Sequence, residues 1–112
     1  MLPQINRLKR SDFSSLRRVK PAFFGKYFSL IVSTDETKSK RLGFVISSKI
    51  SKKAVERNRI KRILSKITRK YIEKTDTDFF ALFLVKKEIV GERESKLESE
   101  VEKSFKKAKL IE

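Results

Sequence analysis

The chain has 112 residues, a formal net charge of +15, nine Phe, and neither Cys nor His. Its length and apolar content suit a single domain over residues 1–112 with one modest core. The absence of Cys and His excludes disulfides, thiolate nucleophiles, imidazole general bases and Cys/His zinc sites.

At the N-terminus, Arg7, Lys9 and Arg10 have no apolar stretch behind them, so no secretory signal is expected. Ser11 to about Arg18 reads as a short helix capped by Ser11 or Asp12, with Phe13 and Leu16 on one face and Arg17 near Phe13. Lys20-Pro21 ends it. Tyr27 to Ser33 predicts a strand, with Phe28, Leu30 and Val32 on one face and Tyr27, Ser29 and Ile31 on the other. After a polar loop from Thr34 to Lys40, Arg41 to Ser47 predicts a second strand. Leu42, Phe44 and Ile46 share one face of it; Arg41, Gly43, Val45 and Ser47 share the other, where the small residues leave room for a shallow groove. The two strands are expected to form a hairpin. Ser51 suits the N-cap of a helix from Lys52 to about Glu73. Lys52 and Lys53 then occupy its first turn, where their sign opposes the helix dipole and favours a bound anion. Phe79 to Val85 is the longest apolar run, seven residues, which suits a buried strand and is too short to span a bilayer. No membrane partner is expected, and the cytoplasm is the expected location. Ser95 and Glu98 have the spacing of a capping box opening a last helix, with Leu97, Val101, Phe105 and Ala108 as its stripe. The predicted order is α-β-β-α-β-α, an α+β sandwich of sheet and helices.

The central helix carries the strongest functional signal. Between Lys49 and Lys70 there are ten Lys or Arg residues and a single acid, Glu56. Residues 1–26 net +6, residues 27–48 net +1, residues 49–70 net +9, and residues 71–112 net −1. Segregation into two basic segments points to a polyanionic partner. Ile60, Ile63, Leu64, Ile67 and Tyr71 recur at helical spacing, so one face docks on a core. Asn58, Lys61, Arg62, Lys66 and Arg69 spread over the outer face, flanked by Arg57 and Arg59. An ordinary solvated helix mixes signs for i,i+4 pairing; this one does not. By contrast, Glu92, Glu94, Glu98, Glu100 and Glu102 alternate with Lys96, Lys103, Lys106 and Lys107, as on an ion-paired exposed face. No carboxylate pair has metal-site spacing, and Gly25, Gly43 and Gly91 form no phosphate-cradling loop. A hydrolytic centre borne by the protein is therefore not expected.

Glu56-Arg57-Asn58-Arg59-Ile60-Lys61-Arg62, just after Ala54-Val55, resembles the signature of the bacterial ribonuclease P protein component. Arg7-Leu8-Lys9 with Asp12-Phe13, and Arg41-Leu42-Gly43-Phe44-Val45 with Ser48-Lys49, resemble family features in the same order. The resemblance runs from about Arg7 to Phe105. It implies a left-handed β-α-β crossover around the basic helix, where general rules predict a right-handed one. It also implies a division of labour. A catalytic RNA removes the 5′ leader of precursor tRNA with magnesium ions held by the RNA and substrate, while the protein binds that RNA and the leader. The RNA-binding residues it implies are Lys49, Lys52, Lys53, Arg57, Asn58, Arg59, Lys61 and Arg62. The implied leader cleft holds Phe13, with Arg17 where the family often has a second aromatic and Ile31 where it often has Tyr. Those departures shift expected contact to Arg17, Tyr27 and Val45. The competing readings are a basic structural protein of the ribosome or another ribonucleoprotein, and a DNA-binding helix module. DNA is not expected as a partner, because a strand rather than a turn and helix precedes the basic helix.

Overall fold

The computed structural model describes Leu16, residues 20–34 and residues 39–111. In chain order these form β1 (Phe23–Phe24), β2 (Phe28–Ser33), β3 (Lys40–Val45), α1 (Ala54–Ile72), β4 (Phe79–Val85), a 3-10 turn (Lys87–Ile89) and α2 (Glu94–Lys107). Of the predicted N-terminal helix only Leu16, helical and buried, is among the described residues. The strands make one sheet in the order β1-β2-β4-β3.

The predicted hairpin of β2 and β3 does not form. β4 lies between them, antiparallel to β2 and parallel to β3. The reason is in β4 itself: its seven residues, FFALFLV, are all apolar and only Phe80 and Leu84 keep partial exposure. Such a strand gains most at the centre of a sheet, covered on both faces. A parallel neighbour needs a long crossover, and α1 supplies it between β3 and β4. The β-α-β unit around the basic helix is thus built from adjacent parallel strands.

One sheet face packs on both helices. Phe28, Leu30, Leu42, Phe79, Phe83 and Val85 meet Ile60, Leu64, Ile67 and Tyr71 of α1 and Leu97, Val101 and Phe105 of α2. Aromatic contacts tie the layers, with the Phe105 ring of α2 6.2 Å from Phe79 and 6.4 Å from Phe83 of β4. The predicted stripes of both helices are the buried ones, with Ile63 at their half-buried margin. On the opposite face Ile31 and Leu82 pack with Leu16, and Phe80 and Leu84 border them.

The helix ends differ from expectation. The N-cap of α1 is Lys53, with no side-chain cap bond. Ser51 instead accepts the Lys53 N–H on its Oγ at 3.2 Å, so Lys52 and Lys53 precede the helix. α2 begins at Glu94 after Arg93, and the Ser95–Glu98 capping box is not made. Glu92 sets that start: it accepts the Arg93 N–H at 3.0 Å and the Tyr27 hydroxyl at 2.9 Å. At the other end of α1, Lys40 Nζ donates to the carbonyls of Thr75 at 2.6 Å and Ile72 at 3.3 Å. A cation there satisfies carbonyls that have no helical partner and complements the negative end of the dipole.

Candidate nucleic-acid interface

The segment from Val45 to α1 delivers the basic residues. Arg57, half-buried, turns back and donates through Nη1 to the Ser51 carbonyl at 2.7 Å. The Lys53 carbonyl accepts the N–H groups of Glu56 and Arg57, both at 3.1 Å. Those bonds hold Ser51 to Lys53 against the first turn and keep Lys49, Lys52 and Lys53 exposed beside it. From the helix itself Asn58, Arg59, Lys61 and Arg62 project into solvent. Asn58, Lys61 and Arg62 surround Val55, which is 77% exposed, and line an open depression of about 420 Å³.

Charge is not uniform along α1. In the second half, Lys66 pairs with Glu94 at 3.1 Å and Lys70 with Glu98 at 3.3 Å, so α2 offsets that end. In the first half Glu56 pairs with Arg59, at 3.8 Å. Between Lys49 and Arg62 there are seven cations and that one acid. The field available to a polyanion is therefore concentrated at the start of the helix, where the positive end of its dipole adds to it.

The second candidate surface is the sheet face away from the helices. Cross-strand register places Ile31, Leu82 and Gly43 in one row and Ser29, Leu84 and Val45 in the next. Val45 is 41% exposed at the end nearest the basic segment. Ile31 is buried against Leu16 and Leu82 and forms the floor. Tyr27 departs from expectation: it belongs to the helix-side cluster, separate from that of Ile31, because its hydroxyl is drawn to Glu92. That bond, then burial, raises the Tyr27 pKa. The Arg93 N–H, then the Tyr27 hydroxyl, lowers that of Glu92. Phe13 and Arg17 lie outside the described residues.

Two exposed apolar residues at these surfaces escape sequence reasoning. Val55 looks like any apolar helix residue until its 100° steps are set against the Ile60–Leu64–Ile67 stripe. Phe24 is 75% exposed while Phe23 is buried. Strand alternation across that doublet was the available signal, but two residues are too few to call a strand.

A family model described as Ribonuclease P matches residues 2–109. The chain is 43% identical over 74 residues to the ribonuclease P protein component of Pseudanabaena sp. (strain PCC 6903), an alignment that spans 64% of each protein. It is 33% identical over 90 residues to that of Microcystis aeruginosa, spanning 76% of this chain and 75% of the relative. The structure of Staphylococcus aureus RNase P protein superposes with a TM-score of 0.82 at 20% identity, over 96% of this chain and 98% of that one. That last likeness is one of fold.

Proposed function

The chain belongs to the ribonuclease P protein family, and from that premise we propose that it is the RNA-binding subunit of an endoribonuclease that matures the 5′ end of tRNA. The first half of α1 and the segment before it bind the catalytic RNA. Lys49, Lys52, Lys53, Arg59, Lys61 and Arg62 neutralise phosphates, Asn58 adds hydrogen bonds, and Arg57 both contributes charge and holds the segment in place. Contacts of this kind fix register and orientation and release counterions. The open sheet face, with Ile31 and Val45, takes the leader of precursor tRNA, and Phe13 and Arg17 join that contact on the strength of the family resemblance alone.

Cleavage itself belongs to the RNA. Among the described residues no group of three or more His, Cys, Asp or Glu is placed to hold a metal ion. In this reading, as the family resemblance implies, magnesium is held by the RNA and substrate. Tyr27 does not enter the binding surface in this reading. Among the described residues no helix is long and apolar enough to cross a membrane.

The observation that carries this reading is the uneven charge of α1: among the described residues its start has the Glu56–Arg59 pair against seven cations, while Glu94 and Glu98 offset its second half. Sequencing the RNA that co-purifies with the tagged chain from a bacterial lysate tests it. Enrichment of a catalytic RNA together with leader-bearing tRNA precursors is expected. Enrichment of ribosomal RNA instead would assign the chain to a structural ribonucleoprotein role.

A further inference from the structure

We propose that Phe24 is a stacking platform for an unpaired base of single-stranded RNA, at the outer edge of the open sheet face; this rests on the reading of the chain as an RNA-binding subunit. Among the described residues β1 pairs with β2 alone, with Phe23 opposite Leu30 and Phe24 opposite Ser29. Leu30 belongs to the helix-side core, so Phe23 packs inward and Phe24 stands on the other face. Register extends that position into a row across all four strands: Phe24, Ser29, Leu84, Val45. At a strand spacing of ~4.8 Å the row spans roughly 14 Å. It ends on one side at Val45, next to the segment that leads to the basic helix, and on the other at an aromatic ring that is 75% exposed.

A solvent-facing Phe on a sheet needs a partner that repays its exposure, and charge around it selects which. Lys86 Nζ donates to the Gly25 carbonyl at 2.6 Å, one residue from Phe24. Lys20 is exposed four residues before Phe24, while Lys26 turns to the Tyr27 ring on the helix side, 5.6 Å from its centroid. The acid nearest the turn, Glu100, is on the helix side: a β-carbon at Gly25 would run into its carboxylate and the Phe23 ring. An exposed ring with the Lys86 ammonium at the adjoining residue matches the combination that holds single strands, a π-face for the base and a cation for the backbone. Stacking is tolerant of sequence, so the platform selects for unpaired bases and not for a particular one.

The chain has no Trp, so Phe24→Trp creates a lone fluorescent reporter at the site. Binding of a short single-stranded RNA oligonucleotide should quench its emission, and a duplex of the same sequence should not. Phe24→Ala should weaken the assembled enzyme for leader-bearing precursor tRNA by about fivefold or more. It should leave affinity for mature tRNA unchanged, and the salt dependence too, since no charge is lost. Unchanged emission with affinities within about twofold of wild type would overturn the proposal. So would sedimentation showing a wild-type dimer that Phe24→Ala makes monomeric. If both Phe24 variants are silent while variants at the start of α1 still abolish RNA binding, the platform fails and the subunit reading stands.

Discussion

Tyr27 and Glu92 make the clearest residue-scale test, because their bond leads the shift of Tyr27 and adds to that of Glu92, where the Arg93 N–H is the larger cause. Glu92 is held below its ordinary value, so its contribution to stability is present above the usual carboxylate range and is lost as pH falls through the lowered value. Tyr27 is raised, so its contribution is present below the ordinary phenol value and is lost as pH rises through the raised one. The bond therefore stabilises across the neutral range and fails at both ends. Thermal melts should show Tyr27→Phe less stable than wild type near neutrality, with the two proteins converging in strong acid and strong base. A gap independent of pH would place the loss in packing instead. At this scale the sequence was only partly readable. The basic residues of α1 were legible because their spacing alone sets their face. Tyr27 was not, since alternation put it beside Ile31 and only the distant Glu92, 65 residues on, draws it to the other side.

The element scale turns on what the two ends of α1 do. Its apolar stripe and its charge were both written in the 3.6-residue period, so its existence and buried face followed from local pattern. Its neighbours did not. Pairing β2 with β3 was the short-range choice, and the actual pairing depends on β4, some 35 residues after β3 in the chain. Caps also failed locally: Ser51 and Ser95 have the right chemistry, but Arg57 on the Ser51 carbonyl and Glu92 on the Arg93 amide decide where each helix begins. Lys40 was unremarkable in sequence, yet it closes the β-α-β unit by holding the C-terminal carbonyls of α1. Lys40→Met should lower stability to denaturant by about 1.5–3 kcal/mol, the range for hydrogen bonds to a charged group. RNA affinity of the folded variant should stay near wild type, since the basic surface is at the other end of the helix. Loss of affinity without loss of stability would mean that Lys40 touches RNA.

For the whole molecule, a net charge of +15 on 112 residues opposes compaction and is relieved by bound anions. Sulfate should raise the thermal midpoint above that in chloride at equal ionic strength. An anion at ten times its dissociation constant adds ~1.4 kcal/mol, which shifts a small domain by roughly 5 °C or more. Equal midpoints would reduce the effect to general screening. The same charge also frames the central claim, because a generic basic protein and a built RNA surface differ in whether position matters.

Affinity for the catalytic RNA, measured at one fixed salt concentration, separates them. Lys61→Ala with Arg62→Ala removes two cations from the first half of α1; Lys106→Ala with Lys107→Ala removes two from α2, where Lys106 already pairs with Glu102 at 3.3 Å. The helix pair should lose at least about tenfold for each contact, from ~1.5 kcal/mol or more apiece, and the α2 pair should stay within about threefold of wild type. Equal losses from the two double variants would mean that net charge alone drives binding, and would contradict an RNA surface built at the start of α1.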